Sequence, residues 1–169
     1  MKDLPVRKHP RLNNFNYSSK GAYFITFCIK NRHELLGRIV VGRGILDAPH
    51  VDLSEYGVNL CNTIDFIHQN NDNVKIHKYV IMPNHVHMIV MVDEDDGGAS
   101  GKPRPTNAEI PKLISSIKRF TNKQAGFNMW QISYHDHIIR DEEDYQNHWR
   151  YIDENPRRWA EDEYYGQDN

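Results

Sequence analysis

The chain predicts an α+β fold in a single domain, with an antiparallel sheet, helices packed on one of its faces, and one further helix near the C-terminus. Three observations lead there. A length of 169 residues suits one domain, and a 38% apolar composition can build a core rather than a disordered polymer. Aromatic and β-branched runs alternate with stretches of helical periodicity in the order β–α–β–β–α–β, followed by a last helix. No run approaches the roughly 20 apolar residues that a membrane-spanning helix requires, so a soluble, cytoplasmic protein is expected.

Residues 22–30, AYFITFCIK, follow Ser-Lys-Gly and read as the first strand. The glycine-rich stretch GRIVVGRGILDAPHVDLS suggests a short strand pair or a loop. From Ser54, a plausible N-cap, Tyr56, Leu60, Ile64 and Ile67 recur at helical spacing to about His68, and QNNDN ends the helix. Residues 75–81 and 85–92 are strands joined by the turn-forming Met82, Pro83 and Asn84, which makes them a hairpin. The polar, Gly/Pro-rich DEDDGGASGKPRPTN is a loop, and its acidic run is expected to be solvated. Leu113, Ile117 and Phe120 mark a second helix over 107–124. WQISYHDHIIRD alternates as a strand. Asp141 then caps a helix over 142–154, with Asp144 as the answering acid and Pro156 disfavouring helical geometry at Asn155. This order of elements fits a ferredoxin-like antiparallel sheet.

The net charge of −2 argues against a uniformly basic nucleic-acid binder, but the charge is unevenly distributed. Nine Lys/Arg face only Asp3 and Glu34 up to Arg43, whereas ten Asp/Glu face three arginines after Arg140. An anionic partner held on one face is compatible with that asymmetry. We divide the chain into a basic N-terminal arm (1–21), a domain (22–159) and an acidic tail (160–169). Arg7, Lys8 and Arg11 on the arm are candidate phosphate contacts, as are Lys112, Lys118, Arg119 and Lys123 on the basic second helix. Cys28 and Cys61 form no CxxC pair and read as buried free thiols of a cytosolic protein.

Candidate chemistry concentrates in two places. His85 and His87 are two apart on a strand, so both imidazoles face one surface. On the last helix, Tyr145, His148, Trp149 and Ile152 fall on the stripe expected to meet the core, and Tyr151 and Asn155, four apart, share a flank beside His148. If that flank meets the histidines, two imidazoles and an amide oxygen can hold Mn²⁺ or, less typically for histidine, Mg²⁺. The ion would polarise a phosphodiester, and Tyr151 would attack phosphorus, conserving the bond energy as a phosphotyrosine. A second pair, His135 and His137 around Asp136, reads as a polar sheet face or as phosphate contacts rather than a zinc site. Trp130, Tyr134 and Trp149 read as core.

MPNHVHMIV together with DYQNHWRYIDENP resembles the His-hydrophobe-His and single-tyrosine motifs of the HUH transposases. GAYFITFCIKNRHELLG, MWQISYHDHIIRDEEDY and YIDENPRRW are similar to the branch called REP-associated tyrosine transposases, so the resemblance covers nearly the whole chain. It implies a ferredoxin-like fold, His85, His87 and Asn155 as ligands of Mg²⁺ or Mn²⁺, and Tyr151 as the nucleophile. It also implies a single-stranded DNA substrate folded into an imperfect palindromic hairpin. Many insertion-sequence members use Gln where this chain has the shorter Asn155 beside a proline. The wider family contains helix-swapped dimers and the REP-associated branch contains monomers, so both states are compatible with the sequence.

The expected function is therefore a metal-dependent single-stranded DNA endonuclease and strand transferase working through a covalent 5′-phosphotyrosine. One alternative is a non-catalytic single-stranded nucleic-acid-binding module on the same fold. Another is a metal-dependent hydrolase in which Tyr151 is structural.

Overall fold

Side-chain alternation along the strands gives the sheet two apolar faces, and the helices divide between them. In the computed structural model, which describes residues 21–41, 48–92 and 109–161, four antiparallel strands lie in the order β4-β5-β1-β6. They are β1 (Gly21–Cys28), β4 (Val74–Ile81), β5 (His85–Val92) and β6 (His135–Ile139). The ambiguous glycine-rich segment forms a separate antiparallel pair of β2 (Gly37–Val40) and β3 (His50–Leu53).

On one face, Tyr23, Ile25 and Phe27 of β1 and Val86, Met88 and Val90 of β5 form the main core. Two helices cover it. One is α1 (Glu55–Gln69), which contributes Leu60 and Ile64; the other is α2 (Glu109–Ala125), which contributes Ile110, Leu113, Ile114 and Ile117. Ser54 caps α1 as expected, its side chain accepting from the Gly57 N–H. Phe120, expected to mark the buried stripe of α2, is instead 41% exposed. Thr121 takes the buried place and accepts a 2.8 Å hydrogen bond from the Trp130 indole. Gly126, at φ 80, closes α2 in the left-handed geometry that glycine adopts without cost.

On the opposite face, α3 (Glu142–Glu154) packs against Ala22, Ile89 and Ile139 through Ile152, flanked by Tyr145 and Trp149. The Asp141 side chain caps α3 by accepting from the Asp144 N–H at 2.8 Å, while the Asp144 carboxylate accepts from the N–H of Arg140. Two expectations need correction here. The last strand spans only β6, because Trp130 makes an isolated bridge to Ile29 before the chain bends away. Asn155 keeps helical geometry (φ −56, ψ −45) despite the following proline, and the chain continues through turns to a 3₁₀ segment, Trp159–Glu161.

Trp130 and Tyr134 are buried as expected, and Trp149 is half-buried with the Lys78 ammonium 4.0 Å over its ring. Cys28 is buried, whereas Cys61 is only half-buried and lies 3.3 Å from the Tyr79 hydroxyl. No helix among the described residues is long and apolar enough to cross a membrane. Residues 1–20 of the basic arm, the acidic loop with its Gly/Pro-rich continuation, and residues 162–169 of the C-terminal tail lie outside the described residues.

Candidate functional site

The odd-numbered residues of β5 and the even-numbered residues of β1 face α3, and this places both histidines beneath that helix. His85 is fully buried and His87 is 2% exposed; their Nε2 atoms stand 2.9 Å apart. Each ring is fixed from its other side. His85 Nδ1 lies 2.8 Å from Asn84 Oδ1, and because the Asn84 amide group donates to the Arg32 carbonyl, Oδ1 must be the acceptor. His85 therefore carries its proton on Nδ1 and presents a lone pair at Nε2. His87 Nδ1 lies 2.7 Å from the Thr26 hydroxyl, which can donate or accept.

Asn31 and Arg32 both adopt left-handed backbone at φ 57, a conformation that costs an L-residue about 1–2 kcal/mol. The turn they make brings the Arg32 carbonyl to Asn84. Burial, then the charges of His87 and Arg32, hold the His85 imidazolium well below its usual range. Burial, then the charge of His148, pushes His87 down to about 3. Both rings are neutral at ordinary pH, the state in which imidazole binds metals.

The C-terminal segment runs over this pair. The Tyr151 ring stands edge-on to His87 with centroids 5.1 Å apart, and the Trp159 ring stacks on His85 at 5.9 Å. Asn155 lies between those two contacts in the chain. It is 3% exposed, and its carboxamide oxygen is buried with no hydrogen-bond partner among the described residues. A buried acceptor left unsatisfied costs about 1–3 kcal/mol, and a cation would relieve that cost. The donor set of two neutral imidazoles and one amide oxygen thus fits a divalent ion such as Mn²⁺ or Mg²⁺.

A second convergence lies next to the first. His137 on β6 and His148 on α3 stack at 4.7 Å with 26° between ring planes, and Asp144 stands against both. His137 Nε2 is 2.8 Å from one Asp144 oxygen, and His148 Nδ1 is 3.1 Å from the other. Burial raises the Asp144 carboxyl, but hydrogen bonds from His137 and the Arg140 N–H, with the charges of His137 and His148, outweigh it and leave the group below its ordinary range. His135, read with His137 as a polar sheet face or phosphate contacts, is exposed and outside this group.

The basic residues of α2 are not near the histidine pair, because α2 covers the other face of the sheet. Lys112, Arg119 and Lys123 are exposed, and Lys112 pairs with Glu109 at 2.9 Å. Lys118 is committed to structure, its ammonium donating to the carbonyls of Gln131 at 2.8 Å and Ser133 at 3.1 Å. Arg7, Lys8 and Arg11 lie outside the described residues.

No family model matches the chain. It is 36% identical over 179 aligned positions to an uncharacterized protein of Haemophilus influenzae, covering 94% of this chain and 93% of that one. It is 34% identical over 82 residues to the REP-associated tyrosine transposase of Escherichia coli K12, covering 48% of this chain. A solved structure of a REP-associated tyrosine transposase bound to a REP hairpin superposes with a TM-score of 0.63 at 22% identity, covering 92% of this chain and 75% of that one. The chain has REP-associated tyrosine transposases among its relatives by sequence, over about half its length, and shares its fold with one of them. The match to the Escherichia coli family member spans 44% of that protein's length, so at sequence level it reaches only part of a REP-associated tyrosine transposase. The superposition extends the shared fold over nearly the whole chain.

Sequence reasoning missed Thr26 and Asn84, which orient the two imidazoles, and Trp159, which covers His85. Asn84 had a visible signal, as a carboxamide immediately before a candidate ligand. Thr26 had none, because its role depends on strand register.

Proposed function

We propose that this protein is a divalent-metal-dependent endonuclease and strand transferase for single-stranded DNA, working through a 5′-phosphotyrosine at Tyr151. One observation carries the reading: Tyr151 stands against His87, whose Nε2 lies 2.9 Å from that of His85, and Asn155, four residues further along the same segment, has a buried oxygen with no hydrogen-bond partner among the described residues. The likeness to REP-associated tyrosine transposases supports the same reaction class. The strand order β4-β5-β1-β6, with α1 and α2 as crossovers on one face, supports the ferredoxin-like reading of the fold.

In this reading His85, His87 and Asn155 hold the ion. When bound, Mg²⁺ or Mn²⁺ supplies Lewis-acid withdrawal of charge from a phosphodiester oxygen. The Tyr151 phenol loses its proton as its oxygen bonds to phosphorus; the bond to the 3′ oxygen breaks, and that oxygen leaves as a hydroxyl. Because the phosphotyrosine ester preserves the bond energy, a free 3′-hydroxyl can reverse the step and join strands. Asn84 and Thr26 hold the imidazole planes, Phe24 and Trp159 exclude water, and the 37% exposure of Tyr151 leaves its ring open to substrate. A DNA hairpin is the proposed partner, as in the structural neighbour. Arg7, Lys8 and Arg11, with Lys112, Arg119 and Lys123, are proposed to contact its phosphates, and Lys118 to hold the loop beside them.

The test is to incubate full-length protein with a labelled hairpin oligonucleotide carrying single-stranded flanks, in Mn²⁺. A denaturant-resistant protein–DNA band that disappears with chelator and in Tyr151→Phe is expected. Salt-sensitive binding that ignores chelator and gives no adduct would instead identify a non-catalytic binding module.

A further inference from the structure

The His137–Asp144–His148 group has no part in the proposed cleavage chemistry, yet its geometry is that of a chelate. Its three ligand atoms, each from a different side chain, lie within 4.8 Å of one another. The two imidazoles approach opposite oxygens of a single carboxylate, His137 from β6 and His148 from α3. Here two rings stacked 4.7 Å apart share a single carboxylate. A single divalent ion would satisfy both neutral rings and the carboxylate together. We propose that His137, Asp144 and His148 form a second metal site, selective for a borderline transition ion such as Zn²⁺, that fastens the tyrosine-bearing helix to β6.

The dimensions and chemistry agree. Ligands at the roughly 2.0–2.2 Å bond lengths of a tetrahedral zinc ion stand about 3.3 Å from one another. The separations of 2.8 and 3.1 Å, which run to the two different Asp144 oxygens, need to open by a few tenths of an ångström, and His148 Nδ1 must give up its 2.9 Å hydrogen bond to the Asp144 carbonyl. Two histidines and a carboxylate are a donor set suited to zinc rather than to Mg²⁺ or Ca²⁺. The side chains are 48%, 23% and 21% exposed for His137, Asp144 and His148, which leaves an entry path and room for a water in the fourth position.

The site also has a route to the histidine pair. The His148 ring touches Phe24 at 4.4 Å, and the same Phe24 ring lies 5.2 Å from His87 and 5.8 Å from Tyr151. Metal at the second site would fix the N-terminal half of α3 and, through Phe24, the seat of the tyrosine. This inference does not depend on Tyr151 being a nucleophile or on metal binding at His85 and His87.

The experiment separates the two sites. Zinc binding is measured on the tag-free full chain carrying His85→Ala and His87→Ala, by titration calorimetry and by metal analysis after desalting. One bound equivalent is expected, with a rise in Tm on zinc addition. Adding His137→Ala removes a ligand and should weaken zinc by at least the about 10–100-fold seen when a ligand's hydrogen-bond partner is lost. If the double variant does not fold, the wild-type chain serves: His137→Ala alone should remove one zinc equivalent and the tetrahedral Co²⁺ absorption bands, with the circular dichroism unchanged. Absence of zinc binding in the folded double variant, or equal affinity with and without His137, overturns the proposal.

Discussion

Two imidazole Nε2 atoms 2.9 Å apart cannot both present lone pairs to each other. With His85 protonated on Nδ1 toward Asn84, the proton between the rings belongs to His87 Nε2, and the Thr26 hydroxyl then donates to His87 Nδ1. Placing a cation between the rings requires that proton to move to Nδ1 and the hydroxyl to turn into an acceptor. Thr26→Val, which keeps the shape and removes the acceptor, should therefore lower Mn²⁺ affinity about 10–100-fold, as read by calorimetry. Unchanged affinity would show that Thr26 has no such role.

The same burial predicts an acid effect on the metal-free protein. In the unfolded chain His87 protonates near 6.5, while in the fold it does so only at about 3. Between those values the unfolded state binds the extra proton, so stability rises with pH through that window and levels off above it. On acidification the loss is about 1.4 kcal/mol per pH unit for this group, with His85 acting in the same direction. Denaturant unfolding at a series of pH values should show a shallower slope for His87→Asn than for wild type.

At the scale of the element, α3 is the part on which the candidate site depends. Its hold on the sheet is narrow, with Ile152 as its buried apolar residue and Tyr145 and Trp149 as half-buried flanks. Besides the His137–Asp144 contact, polar ties supplement it: Lys78 reaches Asp153 at 2.7 Å, and the Tyr145 hydroxyl meets His77 at 2.9 Å. Ile152→Ala should cost about 2–5 kcal/mol by emptying that contact and should reduce adduct yield further than global unfolding explains. Asp141→Ala removes the cap and should cost about 1 kcal/mol, read from the shift in the denaturant midpoint. Either helix could be inferred from spacing, and 142–154 agrees with the observed bounds. The face that α3 covers could not be inferred, because periodicity reveals a buried stripe without naming what it meets.

For the molecule as a whole, the sheet separates two tasks. α1 and α2 bury one face in the main core, and α3 covers the face carrying the histidines, so exposed cations on α2 are set apart from the proposed chemistry. Tyr151 stands against His87 of its own chain, so the proposed site needs no exchanged helix. A mixture of Tyr151→Phe and His87→Ala variants should accordingly form no more adduct than either alone. Restored adduct in the mixture would mean that the working site combines two chains.

By itself the sequence determined which residues are candidates for the chemistry and which elements bear them. A His-x-His pair on a strand shares a face through the two-residue repeat, and Tyr151 and Asn155 share a flank through the helical repeat. Those are local rules, and they survive any arrangement of neighbours. What only the tertiary structure decided depends on long-range register and on the choice of face. It turned Thr26 toward His87, gave His137 the partners Asp144 and His148, and used Lys118 to hold a loop. It also put the basic helix across the sheet from the histidines. The physical reason is that packing pairs residues far apart in the chain, and no repeat length encodes which ones will meet.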